Sequence, residues 1–170
     1  MFTQRSVMRN EYSNLNQSVV KIDYTDFNIK TTAVAAAISH EHGILKWKNY
    51  GKSVKAVDFL DFVKRIHRKM KDQKFALFMD NLSVHYTKIV KEYLKEHDIT
   101  QIFNAAYYPQ GNPIELVFAQ VKREFRTLRT NQIVNGIKQE TIRTIDLSFK
   151  DIPKEHVQNC ITHTLRILKV

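Results

Sequence analysis

A single cysteine, Cys160, three prolines and four glycines are spread over 170 residues. One thiol excludes an intrachain disulfide framework and any zinc site built on cysteines. Cys160 falls on the apolar side of a helical repeat and reads as a small buried hydrophobe. With so little Pro and Gly to interrupt it, the chain is expected to form long elements joined by short connections. Acidic residues are also scarce: 17 Asp and Glu stand against 27 Lys and Arg, a formal net charge of +10. That surplus is the footprint of a protein that meets a polyanion, most often nucleic acid. Long apolar runs are missing too. None approaches the roughly 20 residues a helix needs to cross a bilayer, so no membrane-spanning segment is expected. What is present is material for a core. The 43% hydrophobic and 11% aromatic content argues against disorder, and 170 residues suit one domain.

Residues 1–17 are polar and read as irregular. Arg5, Arg9 and Lys21 against the single Glu11 give the first 21 residues a faint likeness to an organellar transit segment. Ser18 to Phe27 (SVVKIDYTDF) carries β-branched and aromatic residues with partial alternation, a candidate strand. Thr31 to Ser39 reads as a buried strand, and Ile44 to Tyr50 as its hairpin partner. Gly43 is the residue expected at positive φ in the turn between them. From Ala56 to Lys71 apolar residues recur at helical spacing through Leu60, Val63, Ile66 or His67, and Met70. Phe75 to Met79 is five apolar residues in a row, the pattern of a strand buried on both faces. A helix over Tyr86 to His97 and a strand over Ile99 to Phe103 complete a strand–helix–strand unit, which implies a right-handed parallel crossover. Asn112-Pro113 opens a long helix, since Asn caps and Pro favours the first helical position. Its inward stripe reads Ile114, Val117 or Phe118, Val121, Phe125 and Leu128. Helices from about Ile137 to Phe149 and beyond Pro153 close the chain, the last with Val157, Cys160, Ile161, Thr164, Leu165 and Leu168 at helical intervals. The sum is an α/β fold, a mixed sheet with helices on its faces.

Two carboxylates occupy informative places. Asp80 directly follows the Phe75–Met79 run, and in open α/β sheets functional groups gather where strands end. Glu115 falls in the first turn of the long helix, where the helix dipole supports an anion. Together they offer the hard oxygen donors that Mg or Mn takes while keeping waters and accepting phosphate oxygens. Each also has a structural alternative: Asp after a strand is a common turn residue, and Glu at the third helical position can close a capping box. His85, five residues past Asp80, is a candidate to contact phosphate or assist proton transfer, or else to cap and pack. The other histidines lack ligand spacing, which argues against zinc. Lys64, Arg65, Arg68, Lys122, Arg123, Arg126 and Arg129 are candidates to track a nucleic-acid backbone, although a solvated charged helix face looks the same in sequence. Trp47, Tyr107 and Tyr108 are candidates to stack bases, the two loop tyrosines more openly than the tryptophan.

At these residues the chain resembles the mariner-type branch of the DDE transposases. The likeness runs through FMDN at 78–81, His85, YYPQGNPIE at 107–115 and the following VFAQVKREFR. It is weaker along AAAISHEHGI and WKNYGKS, and in all it reaches about Arg129. In that family the second catalytic acid lies in an Asp-Asn-x-x-x-His pattern after a strand. The third lies in a Ser-Pro-x-x-Asn-Pro-Ile-Glu pattern that opens a helix. Here 34 residues, 81–114, separate the two acids, a spacing typical of one group in the branch. The resemblance implies an RNase H-like catalytic core spanning 1–170 as a single domain, with 137–170 as a helical extension. It makes Asp80 and Glu115 ligands of Mg or Mn, with Asn81 and His85 as neighbours, and DNA the ancestral partner.

Two departures accompany the likeness. Tyr108 stands where the family has Ser. The Asp-Glu of the family's first, central strand has no counterpart before the hairpin, and by spacing it would fall just upstream of Met1. Asp23, or less favourably Asp26, is the candidate replacement if Ser18–Phe27 fills the central strand. Otherwise the sheet is expected to be missing its middle strand or to have it remodelled, with a protein partner covering the gap. Three functions follow: a metal-dependent DNA nuclease or transposase core; a domesticated, inactive remnant serving as a structural subunit or adaptor; and a nucleic-acid-binding module without chemistry. The expected place of action is the nucleus, with the mitochondrion as the alternative.

Overall fold

The structure is a computed structural model and describes residues 32–71, 73–138 and 140–168. The expected irregular segment 1–17, the candidate strand 18–27 and with them Asp23 lie outside the described residues. Strand β1 (Ala33–Ser39) and strand β2 (Gly43–Tyr50) form an antiparallel hairpin. Gly43 turns it at φ +71°, as its position predicts. Helix α1 (Ala56–Met70) follows, and its start is fixed by Asp58, whose carboxylate accepts the Lys55 backbone N–H at 3.1 Å. Strand β3 (Ala76–Met79), a single 3₁₀ turn at Ser83–Tyr86, helix α2 (Lys88–Glu96) and strand β4 (Thr100–Phe103) make the expected crossover unit. β3 and β4 run parallel with Ala76 opposite Thr100 and Met79 opposite Phe103. The predicted Tyr86–His97 helix therefore begins at Lys88. Helix α3 (Pro113–Val134) is the longest element, and α4 (Thr141–Lys150) and α5 (Lys154–Leu168) pack against it.

The hairpin divides the core in two: β1 alternates between the faces, and the irregularity opposite Ala37 and Ile38 shifts the alternation of β2 between Ile44 and Trp47. Val34, Ala36, Ile38, Ile44 and Trp47 face a cluster built from α3, α4 and α5, centred on Val121, Phe125, Ile145, Phe149 and Val157. Ala35, Ala37 and Leu45 face the opposite cluster, where Phe62, Val63 and Ile66 of α1 meet Met79, Val90, Leu94 and Ile99. Each fully buried Phe, Leu or Ile contributes roughly 1.5–3 kcal/mol, and these two clusters hold most of that burial. No described helix is long and apolar enough to cross a membrane.

Where one mixed sheet was expected, the described residues form two separate two-stranded sheets, β1–β2 and β3–β4. Among the described residues no strand lies between β1 and β3. A slot of about 380 Å³ separates them, walled by Ala36, Ala37 and Ile38 on one side and Ala76 to Met79 on the other. Helix α1 lines it from one face, and Ile161, Leu165 and Leu168 of α5 line it from the other. This corrects the reading of β3 as buried on both faces: Phe78 is 41% exposed, because its neighbour on the open side is missing from the described residues. Leu165 and Leu168, read as inward positions of α5, are exposed for the same reason.

Candidate metal and nucleic-acid site

Asp80 is the first residue beyond β3. Asn104 is the first beyond β4, and its backbone N–H donates to the Met79 carbonyl at 2.8 Å, so the two strands end side by side. The chain then turns around the Asp80 carboxylate, whose Oδ1 accepts the Leu82 backbone N–H at 3.3 Å. This is the turn role that a strand-ending Asp often plays. The His85 ring closes the same turn. Its Nδ1 lies 3.0 Å from the Asp80 carbonyl oxygen and 3.1 Å from Oδ1. With two acceptors around it, Nδ1 must carry the proton. His85 is buried, 8% exposed, and its ring lies 4.4 Å from that of Phe59 on α1. Gln101 of β4 holds its backbone carbonyl at 3.2 Å. The histidine thus faces Asp80 and the core.

Glu115 reaches the same place from the other side of the chain. Asn112 and Pro113 start α3 as the sequence predicts, with Asn112 buried and its carbonyl accepting the Glu115 backbone N–H at 3.1 Å. The capping-box alternative is not realised: among the described residues the Glu115 carboxylate has no hydrogen-bond or ion-pair partner. Asp80 and Glu115 both line a cleft of about 420 Å³ together with Asn81, Asn104 and residues 105–109. They also share a smaller cleft of about 180 Å³, bordered by His85, that opens toward β1. Thirty-four intervening residues are thus folded so that both acids border one cavity. Among the described residues no group of three or more His, Cys, Asp or Glu side chains is placed to hold a metal ion. The donor set is nonetheless the right kind for Mg or Mn, two oxygen ligands of which one is unengaged.

The rim joins Asn81, Tyr107 and Tyr108, which the sequence pointed to, with Tyr86 and Asn104, which it did not single out. Asn81 donates from Nδ2 to the Asn104 carbonyl at 2.8 Å and accepts from the Tyr86 hydroxyl. Tyr86 is itself stacked on Phe103 at 4.3 Å. Asn104 donates from Nδ2 to the Tyr108 carbonyl at 2.5 Å. A Cβ at Gly111 would meet Asn104 Oδ1 and Tyr108 Cδ1 at 2.7 Å, so the Tyr108 ring uses space that only glycine leaves open. The available signal was positional: Asn104 ends β4 as Asp80 ends β3. Tyr107 sits at φ +58°, a left-handed conformation that costs a bulky residue about 1–2 kcal/mol.

The basic candidates are not gathered into one surface. Lys64, Arg65 and Arg68 are exposed on α1, whose core face packs on the side of the hairpin opposite to α3. Arg65 donates from Nε to Asp61 at 2.9 Å, and Lys48 donates to the same carboxylate at 3.0 Å. These two donors, Lys48 first, hold the Asp61 carboxyl below its ordinary pKa. Arg68 donates to the Lys64 carbonyl, and the Lys64 ammonium lies over the Tyr93 ring at 5.2 Å. On α3, Arg123 and Arg126 are exposed and Lys122 is half-buried. Arg129 corrects the expectation of a solvent-facing cation: it is 2% exposed. Val117, Val121, Phe125 and Arg129 recur every fourth residue, so it continues the buried stripe. Trp47 packs, stacked on Phe149 at 5.3 Å with its indole N–H donated to Asp146 at 2.7 Å.

A family model described as DDE superfamily endonuclease matches residues 1–135. The chain belongs to this family. The fold of this DDE superfamily endonuclease chain matches that of the Mos1 mariner transposase. Over 95% of the chain it superimposes on a Mos1 transposase paired-end complex with the left transposon end, with a TM-score of 0.70 and 14% identity. It covers 82% of the chain and 72% of the crystallised catalytic domain of the same transposase, with a TM-score of 0.61 and 14% identity. Other Mos1 catalytic-domain structures contain Raltegravir with Mn or with Mg. The fold is therefore the RNase H-like mixed α/β fold seen in the Mos1 catalytic domain, its sheet small and, among the described residues, divided into two strand pairs. The chain spans 48% of the full transposase in the paired-end complex. No curated protein matches it.

Proposed function

We propose that this chain cleaves or joins DNA phosphodiester bonds with a divalent metal held by Asp80 and Glu115. The observation that carries the proposal is that the strand-ending Asp80 and the helix-opening Glu115 line one cleft. When bound, Mg or Mn supplies a Lewis acid for the phosphate and activates water or a 3′-hydroxyl. The chain's own part is to fix the two carboxylates. Leu82 N–H and His85 Nδ1–H hold Asp80 Oδ1, so His85 acts as a positioning residue for that ligand. Among the described residues Glu115 is unpaired, at the positive end of α3. The exposed cations of α3 draw the DNA backbone, while those of α1 serve mainly as a solvated face. Asp23 remains the candidate third ligand. Nuclear DNA is the proposed target, mitochondrial DNA the alternative.

The test is nicking and strand transfer on supercoiled DNA with Mn²⁺, using an Asp80→Ala/Glu115→Ala protein as control. Activity above the control supports the proposal, and equality with the control rejects it. His85→Ala should weaken the activity in a way that raised Mn²⁺ partly restores, because the ligand is disordered but still present.

One observation favours a second reading, an inactive remnant that serves as a subunit in a larger complex. The slot between β1 and β3 leaves Phe78, Leu165 and Leu168 exposed, and an extended strand from a protein partner would cover them. Size-exclusion of the native protein separates the readings. A stable monomer with Mn²⁺-dependent nicking removes the second, and an inactive protein recovered only in a larger assembly removes the first.

A further inference from the structure

Three aromatic rings stand near the cleft, and the structure treats them differently. Tyr86 is stacked on Phe103. The Tyr108 ring covers Gly111. Tyr107 is 104% exposed, so its ring is wholly in water although the residue lines the cleft that holds Asp80 and Glu115. Its backbone is left-handed at φ +58°, a conformation that a bulky side chain rarely adopts. The flanks of the loop are nevertheless tied down. Asn104 Nδ2 holds the Tyr108 carbonyl, Asn81 Nδ2 holds the Asn104 carbonyl, and Gly111 N–H donates to the Tyr108 carbonyl at 3.1 Å. An anchored loop thus spends backbone strain to hold an apolar ring in solvent at the rim of the acid pair. Nothing within the described chain is stabilised by the ring's placement, whereas a ligand with a flat apolar face would be.

Taking the DNA reading above as its basis, we infer that Tyr107 is a stacking residue for an unpaired base next to the phosphate held at Asp80 and Glu115. A nucleotide whose phosphate enters the cleft carries its base toward the rim, where the anchored loop already presents the ring and its backbone has little order left to gain on binding. Stacking tolerates any base, so the site selects unpaired over paired DNA rather than one sequence. The hydroxyl is not required, so phenylalanine should serve equally well.

The experiment uses the 170-residue chain with Ca²⁺ in place of Mn²⁺, and a single-stranded oligonucleotide carrying 2-aminopurine. Wild type and Tyr107→Phe should bind with equal affinity and quench the fluorophore. Tyr107→Ala should bind about tenfold more weakly, the scale of one lost stacking contact, and lose the quenching. Its salt dependence should match wild type because no charge is removed. A blunt duplex should show no difference among the three proteins. Equal binding and equal quenching by Tyr107→Ala, in a wild type that nicks DNA with Mn²⁺, overturn this inference and leave the proposed function standing. A wild type that neither binds nor nicks DNA overturns both.

Discussion

The two strand pairs of this molecule receive opposite treatment from the helices. Hairpin β1–β2 has helices on both faces, with α1 on one and α3, α4 and α5 on the other. The parallel pair β3–β4 is covered on the face that meets α1 and α2, while Phe78 and Ile102 on the other remain 41% and 47% exposed. The hairpin carries packing and no acid of the site. The parallel pair carries Asp80 at its end and the rim residue Asn104 beside it. Packing on both faces and the proposed metal-binding acid are therefore divided between the two pairs, the hairpin enclosed by helices and the parallel pair ending in Asp80.

The division predicts unequal costs. Phe149→Ala, which empties a fully buried position stacked on Trp47, should lower unfolding free energy by about 3–5 kcal/mol in urea titration. Next is Asp146→Ala. It removes the acceptor shared by the Trp47 indole N–H at 2.7 Å and the Asn49 amide at 2.9 Å, and should cost about 1.5–3 kcal/mol by the same measurement. Phe78→Ser on the parallel pair should cost less than about 1 kcal/mol, since much of the ring is already in water. If Phe78→Ser costs as much as Phe149→Ala, the parallel pair is as enclosed as the hairpin and the comparison fails.

The smallest effect concerns pH. Asp61 takes hydrogen bonds from Lys48 and Arg65 and has a lowered pKa in the folded protein. A depressed carboxyl stabilises the fold above its unfolded pKa and loses that contribution as pH falls through the folded value. Asp61→Asn should therefore be less stable than wild type by under about 1 kcal/mol at neutral pH, the usual scale for an exposed pair. The gap should close in acid and shrink with added salt. A gap that widens in acid would assign the stabilisation to another group.

Local rules made much of this readable beforehand. Gly43 is legible as a left-handed turn because the residues on either side alternate as strands. Asn112-Pro113 marked the start of α3, and the β3–α2–β4 crossover followed from two short apolar runs flanking an amphipathic segment. Asp80 and Glu115 could be paired because each sits where an element begins or ends. What escaped depended on distant neighbours. The exposure of Phe78 is set by what lies across the open edge of β3, which no property of Phe75–Met79 encodes. The charge of Arg129 points outward, whereas the four-residue repeat through Val117, Val121 and Phe125 carries it inward. The Asn81–Tyr86–Asn104 network joins residues from two loops, and only the pairing of β3 with β4 brings them together.

Mn²⁺ titration followed by electron paramagnetic resonance, on wild type and on the single variants Asp80→Ala and Glu115→Ala, addresses the shared cleft most directly. The account predicts saturable Mn²⁺ binding by wild type that either substitution alone sharply weakens, since both carboxylates serve one ion. Undiminished binding in both variants would contradict it.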